Sequence, residues 1–173
     1  MVRFQDVKVG IIACVSSNNV IGNGKELVFD IKEDMAFFRA HTDPGVVIVA
    51  RGTYEAMGRA LPRRVTILVS RNPELQIEDK DVTICNCLSA AIEVAKAYAV
   101  INSLPTVYII GGSELYAAGM LVADTMFITE VRSEAVGDKH FPGIDSRHWV
   151  ELSRVTSHDN TYEYDFVSYS KNI

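Results

Sequence analysis

Cysteine is scarce in this 173-residue chain. Its three copies, Cys14, Cys85 and Cys87, are odd in number and point to no disulfide framework. Cys85-Asn86-Cys87 has no second Cys or His pair at zinc-site spacing, so no metal centre is expected. Basic charge is also short: 17 Lys and Arg stand against 22 Asp and Glu, a net charge of −5. A general nucleic-acid binder shows a basic excess, so none of that class is expected as a partner. No apolar run is long enough to span a bilayer. The stretch Met1–Lys8 lacks the apolar core of a signal peptide. The expected compartment is therefore the reducing cytoplasm, with no membrane partner. Internal repeats, low-complexity stretches and linkers are missing too, and none of the four histidines is spaced with a serine or cysteine as a triad.

What is there is apolar and periodic. Hydrophobic residues make up 48% of the chain and charged residues 23%, enough for one packed domain over residues 1–173. Short β-branched runs read as buried strands: Val7–Val15, Val46–Ala50, Val65–Val69, Val82–Cys85, Thr106–Ile110 and Thr125–Arg132. Helical spacing appears in Thr53–Met57, with Thr53 as a plausible cap, in Leu88–Ile101, with Ser89 as the N-cap, and in Ser113–Met120. Trp149–Thr156 and Tyr162–Ser170 read as a closing antiparallel pair. Strands alternating with helices predict an α/β fold: a mostly parallel central sheet, flanking helices and a C-terminal antiparallel hairpin.

One helix, Asp30–His41, carries a feature that patterning alone does not need. Ile31, Met35, Phe38 and His41 or Thr42 share a face, and Asp34 falls on that face between them. A carboxylate in an apolar stripe is costly to desolvate unless something pairs with it, and its pKa rises if nothing does. Catalysis or ligand binding would retain such a group. The structural alternative is an acid of the first turn, favoured by the helix dipole, with Asp30 and Glu33 as a capping box.

Two places could receive a phosphate. Gly111-Gly112-Ser113 joins a strand to a helix, where backbone N–H groups attract anions; a plain tight turn is the equal alternative. Arg51 and Arg71 follow strands, at the carboxyl edge where open α/β sheets bind ligands. Such a pair grips phosphate well, although each arginine alone reads as a solvated surface charge. Arg64 lies at the opposite end of its strand and should serve another part of a site. Gly22-Asn23-Gly24 is a turn in a long, mobile loop and not a dinucleotide fingerprint, because no third glycine follows.

Taken in order, these pieces resemble the dihydrofolate reductase family from about Val9 to about Ser170. They are Ile12-Ala13-Cys14 with Val20-Ile21-Gly22; the Asp34–Phe38 helix; Val47 to Glu55; Gly58 to Arg64; Ile67 to Arg71; Ile110 to Tyr116; and Gly137-Asp138 with His140-Phe141-Pro142. The resemblance implies reduction of 7,8-dihydrofolate by NADPH in a cytoplasmic monomer. It makes Asp34 the carboxylate that binds the pterin and helps deliver a proton, and Thr129 its support. It puts Phe38 on the aminobenzoyl ring, Arg64 on the glutamate carboxylate, and Ile12 and Ile110 on the substrate. It assigns Cys14, Ile21, Arg51, Gly52, Thr53, Ser70, Arg71, Gly111, Gly112, Ser113 and Tyr116 to the cofactor side, with a cis peptide between the paired glycines. The alternatives are a pterin or riboflavin-pathway pyrimidine reductase of similar fold, or a cofactor-binding module without catalysis.

The chain departs from the family pattern before the helix, where Val28-Phe29 stands for Pro-Trp. Phe29 keeps an aromatic ring and loses the indole N–H donor. Leu27 takes the place of the apolar loop residue over the nicotinamide, and Ala50 replaces a glycine. These changes predict an altered loop closure on a retained fold, with Leu27 and Phe29 part of the catalytic surroundings.

Overall fold

Eight strands form one sheet in the computed structural model, which describes residues 2–173. Residue 1 of the expected domain lies outside the described residues. The chain runs β1 (Lys8–Val15), β2 (Val20–Gly22), α1 (Lys32–Thr42), β3 (Gly45–Ala50), α2 (Arg51–Met57), β4 (Arg64–Val69), β5 (Val82–Cys85), α3 (Leu88–Ile101), β6 (Thr106–Ile109), α4 (Ser113–Gly119), β7 (Thr125–Val131), β8 (Lys139–His140), β9 (Trp149–His158) and β10 (Glu163–Lys171). The sheet order is β5-β4-β3-β6-β1-β7-β10-β9. Neighbours from β5 to β7 are parallel, and β10 is antiparallel to both β7 and β9. The predicted α/β class, parallel sheet and closing hairpin are all present.

Side-chain alternation along β1 sorts the two faces of the sheet. Val9, Ile11 and Val15 enter a core with Ala91, Ala95 and Ala99 of α3 and Leu115 of α4. Ile12 points the other way, into a cluster with Val47, Val49, Tyr108 and Ile110 against which Phe37 and Phe38 of α1 pack. Cys14, two residues on, packs on a third cluster of Ile31, Val131 and Tyr164. The continuous run of β3 is explained by burial on both faces: Val46, Val47, Ile48 and Val49 are all fully buried.

Helix starts differ from the sequence expectations. α1 begins at Lys32, and Ile31 occupies the cap position without a side-chain cap bond. The Asp30–Glu33 capping box does not form, because Glu33 Oε1 accepts hydrogen bonds from Ser157 Oγ (2.5 Å) and Tyr164 OH (2.9 Å) on the hairpin. Burial of Ile31 fixes the chain entry in its place. Thr53 is the third residue of α2, which starts at Arg51, and Cys87 stands at the cap of α3 where Ser89 was expected. Met35 is 45% exposed, so the buried stripe of α1 is narrower than the spacing predicts.

The segment read as a long loop contains β2, which pairs with β8. The surrounding contacts tie it to residues 133–141. Ser17 N donates to Ser133 O (2.9 Å), Asn18 Nδ2 to Ala135 O (2.9 Å) and Gly24 N to Asp138 Oδ1 (2.9 Å).

Candidate active site

Asp34 projects from the first turn of α1 toward the edge of β1 and β7. Thr129 Oγ1, fully buried on β7, donates to Asp34 Oδ1 at 2.6 Å. Cys14 on β1 is the register partner of Thr129, so the two side chains stand next to each other beneath the carboxylate. Burial, then the nearby Asp34 charge, push the Cys14 thiol well above its ordinary range. Among the described residues no Lys, Arg or His forms an ion pair with Asp34. Burial pushes the Asp34 carboxyl above the ordinary carboxylate range, while the hydrogen bond from Thr129, and after it the neighbouring Cys14 thiol, pull it back. The group can therefore carry a proton under conditions in which a free aspartate is fully ionised.

Tyr116 connects this carboxylate to the glycine pair. Its buried OH donates to Ile12 O at 2.8 Å, and its phenol is raised by burial, then by the charges of Cys14 and Asp34, so it stays neutral. A Cβ added to Gly111 would lie 3.6 Å from Tyr116 OH and 3.3 Å from Thr53 Oγ1. One added to Gly112 would come within 3.0 Å of Thr53 Oγ1. Gly111 has φ +133°, and the Gly111–Gly112 peptide is cis. Glycine is therefore required here by backbone conformation as well as by space. Thr53 is free to face the pair because it lies inside α2 and does not cap it.

Sheet register gathers the remaining phosphate candidates. Ala50 pairs with Val69, so Arg51 and Ser70-Arg71 leave adjacent strands side by side. Ala50 N donates to Gly111 O at 2.8 Å, which brings the glycine pair to the same edge. Arg51 and Arg71 are exposed, Arg51 bonds Glu55 (2.8 Å), Gly52 is exposed beside it, and Ser70 and Arg71 line a cleft with Asn72, Cys85 and Asn86. Ser113 Oγ, at the start of α4, is buried without a hydrogen-bond partner. An orphaned hydroxyl, a side-chain-free glycine pair and two exposed arginines on one edge fit an elongated, phosphorylated cofactor.

Arg64 occupies the other end of α1. It is 7% exposed and is held by Pro62 O (2.9 Å) and by Thr42 Oγ1 (3.1 Å), with Asp43 at 3.9 Å. Burial lowers its pKa from the ordinary arginine value, although it stays a cation, as arginine does in proteins. From Asp34 to Thr42 the helix advances about 12 Å at 1.5 Å per residue. Phe38 lies one turn along that line, half-buried. An acid-binding cation, an aromatic surface and a proton-bearing carboxylate are thus spaced along one helix.

The loop residues sit differently. Leu27 is 75% exposed, and Ile21 in β2 packs half-buried against the main core. Phe29 meets Tyr162 edge-on, with ring centroids 4.9 Å apart and planes at 77°. Both rings pack on the Ile31, Val131 and Tyr164 cluster. Sequence reasoning missed Glu33, Tyr162 and Tyr164 as the parts that fix helix and loop to the hairpin. Only tertiary pairing reveals them.

A family model described as dihydrofolate reductase matches residues 8–171. The chain belongs to the dihydrofolate reductase family. It is 34% identical to the type 3 dihydrofolate reductase of Salmonella typhimurium over 94% of this chain and 98% of that protein. Identity to the dihydrofolate reductase of Bacillus subtilis is 28%, over 94% of each chain. Its fold is similar to that of Enterococcus faecalis dihydrofolate reductase solved with NADP(H) and RAB-propyl: TM-score 0.86, 27% identity, covering 96% of this chain and 97% of that one. The glycine pair, Asp34 and Arg64 all fall within the matched dihydrofolate reductase region.

Proposed function

We propose that this chain reduces 7,8-dihydrofolate to 5,6,7,8-tetrahydrofolate with NADPH, and that Asp34 governs the proton. The observation that carries the proposal is the half-buried Asp34 carboxylate, unpaired by any cation among the described residues and bonded by Thr129. Substrate and product differ by one hydrogen at C6 and one at N5. Carbon accepts hydride and the more basic nitrogen accepts the proton, so the reaction needs one proton source and no protein nucleophile. NADPH, when bound, supplies the hydride.

This chain's residues supply the rest. Asp34, with Thr129, orients the pterin and holds the proton that N5 takes. Phe38 packs on the aminobenzoyl ring, and Arg64 binds the glutamate carboxylate, its fork fixed by Thr42 and Pro62. Ile12 and Ile110, in one apolar cluster with Phe38, border the pterin. Thr53, Gly111, Gly112, Ser113 and Tyr116 take the cofactor's central part, with Cys14 and Ile21 toward the nicotinamide. Arg51, Gly52, Ser70 and Arg71 take its phosphates. Leu27 and Phe29 close over the reacting rings. The working form is a cytoplasmic monomer without nucleic-acid or membrane partners, a reading supported by its acidic net charge and free thiols.

The test is NADPH oxidation by the purified protein, followed by absorbance with and without dihydrofolate. Oxidation that depends on dihydrofolate is the expected result. NADPH binding with no oxidation in its presence would reject the proposal and favour a binding module.

A further inference from the structure

We infer that Glu33 is a positioning residue for the proton step: bound by Ser157 and Tyr164 of the closing hairpin, it sets the rotation of the first turn of α1 and so holds Asp34 against Thr129. The inference rests on the reading of Asp34 given above and adds a part to it.

Both anchors stand on one face of the sheet. Thr129 on β7 pairs with Phe166 on β10, and Tyr164, two residues before Phe166, pairs with Ser157 on β9. Alternation puts all four side chains on the face that α1 covers. Ile31 enters that face fully buried, beside Val131 and Tyr164. Glu33 Oε1 accepts from Ser157 Oγ at 2.5 Å and from Tyr164 OH at 2.9 Å. The next residue, Asp34, accepts from Thr129 Oγ1 at 2.6 Å. Phe37, one turn on, packs on Phe166 with ring centroids 4.6 Å apart.

Successive helical residues point about 100° apart, so Glu33 and Asp34 reach different strands. Two fixed directions on adjacent residues keep the turn from rolling. Nothing local does this, because Ile31 at the cap position makes no side-chain bond. Tyr164 is a rigid reference point: it is 1% exposed and meets Phe166 edge-on at 5.5 Å. Burial, then the hydrogen bond to Glu33 and its charge, raise the Tyr164 phenol, so its OH keeps the proton it donates. Besides Glu33, Asp159 acts on Tyr164, and Cys14 and Tyr116, both neutral, lie near Asp34. Glu33 turns to the hairpin and acts on the reaction through Asp34, not by contact.

The experiment compares Glu33→Ala, Glu33→Gln and the pair Ser157→Ala with Tyr164→Phe, which keeps the Glu33 charge and the buried ring. Turnover with dihydrofolate, KM for NADPH and the Asp34 carboxyl titration by carbon-13 NMR are measured below the melting temperature of each variant, with Asp34→Asn used to assign the resonance. Glu33→Ala should lower turnover about fivefold with KM for NADPH unchanged, well short of the roughly hundredfold that a 1 Å misplacement can cost. Glu33→Gln keeps an oxygen that accepts both hydrogen bonds, so its turnover should stay near wild type. Both Glu33 variants lack the charge, yet the Asp34 midpoint should lie higher in Glu33→Ala, where the Thr129 bond is loosened. The hairpin pair should raise the midpoint above wild type and lower turnover as Glu33→Ala does. A lowered Tm in Glu33→Ala with turnover and midpoint equal to those of Glu33→Gln would leave Glu33 a fastening only and overturn the inference. So would a Glu33→Gln turnover as low as that of Glu33→Ala. Because the titration needs no turnover, its result is separate from the test with dihydrofolate.

Discussion

Two aspartates, Asp34 on helix α1 and Asp165 on strand β10, face opposite electrostatic surroundings. Asp165 on β10 is 4% exposed and sits between Arg132 (2.9 Å) and Arg154 (2.8 Å), with Thr156 Oγ1 donating at 2.7 Å. Burial alone would raise its carboxyl; Thr156 and the two arginines outweigh that and hold it below the ordinary range. At Asp34 burial prevails and its carboxyl is raised, because a hydroxyl donor stands where Asp165 has guanidinium groups. Burial pushes both carboxyls up; the partners decide how far that push is offset. The acid on β10 fastens the hairpin, and the acid on α1 stays free of cations among the described residues.

The largest effect is expected at Asp34. Asp34→Asn should lower turnover with dihydrofolate about a hundredfold or more near neutral pH, as loss of a general acid does. The same variant should gain stability, on the order of 1 kcal/mol or about 2–4 °C in Tm. The sign follows from linkage. A carboxyl raised on folding contributes stability below its unfolded pKa and loses it as pH rises through the folded one, so replacing it relieves a cost at neutral pH. Activity and stability moving together would contradict this.

Thr129→Val comes next. It removes the 2.6 Å hydrogen bond under Asp34 and should slow turnover about tenfold. The alkaline limb of the pH profile should shift upward, since Thr129 pulls the Asp34 carboxyl down. A downward shift would assign the limb to another group.

Asp165→Ala probes the other side of the contrast. Turnover should remain near wild type, while denaturant unfolding should show a loss of about 2 kcal/mol, less than for a dry ion pair because both arginines stay partly solvated. For a depressed carboxyl the stability is present above the unfolded pKa, about 3.9, and is lost as pH falls through the folded value. The wild-type excess over Asp165→Ala should thus vanish in acid and persist at neutral pH. Tyr162→Ala should have the smallest effect, about 1 kcal/mol from the lost edge contact with Phe29. Its pH profile should match wild type; a moved limb would make the ring part of the proton step.

Much of this was legible from patterning. The β-branched runs marked the buried strands because burial on both faces leaves no room for polar alternation, and the sheet and closing hairpin followed. Asp34 stood out as a charge within an apolar stripe, and the glycine pair as a strand-to-helix joint. What the residues could not show was register. Cys14 and Thr129 are 115 positions apart in sequence and adjacent in space only because β7 pairs with β1. The capping box was misread for the same reason: Glu33 has better partners on the distant hairpin than at its own helix end. The short strand β2 was hidden inside a glycine-bearing loop, since its partner β8 lies more than a hundred residues away.

The pH dependence of NADPH oxidation with dihydrofolate, measured for wild type and Asp34→Asn together, tests the role of Asp34 most directly. The predicted result is turnover in wild type that declines on the alkaline side, and turnover in Asp34→Asn close to background near neutral pH. Wild-type turnover in Asp34→Asn near neutral pH would remove Asp34 from the proton step.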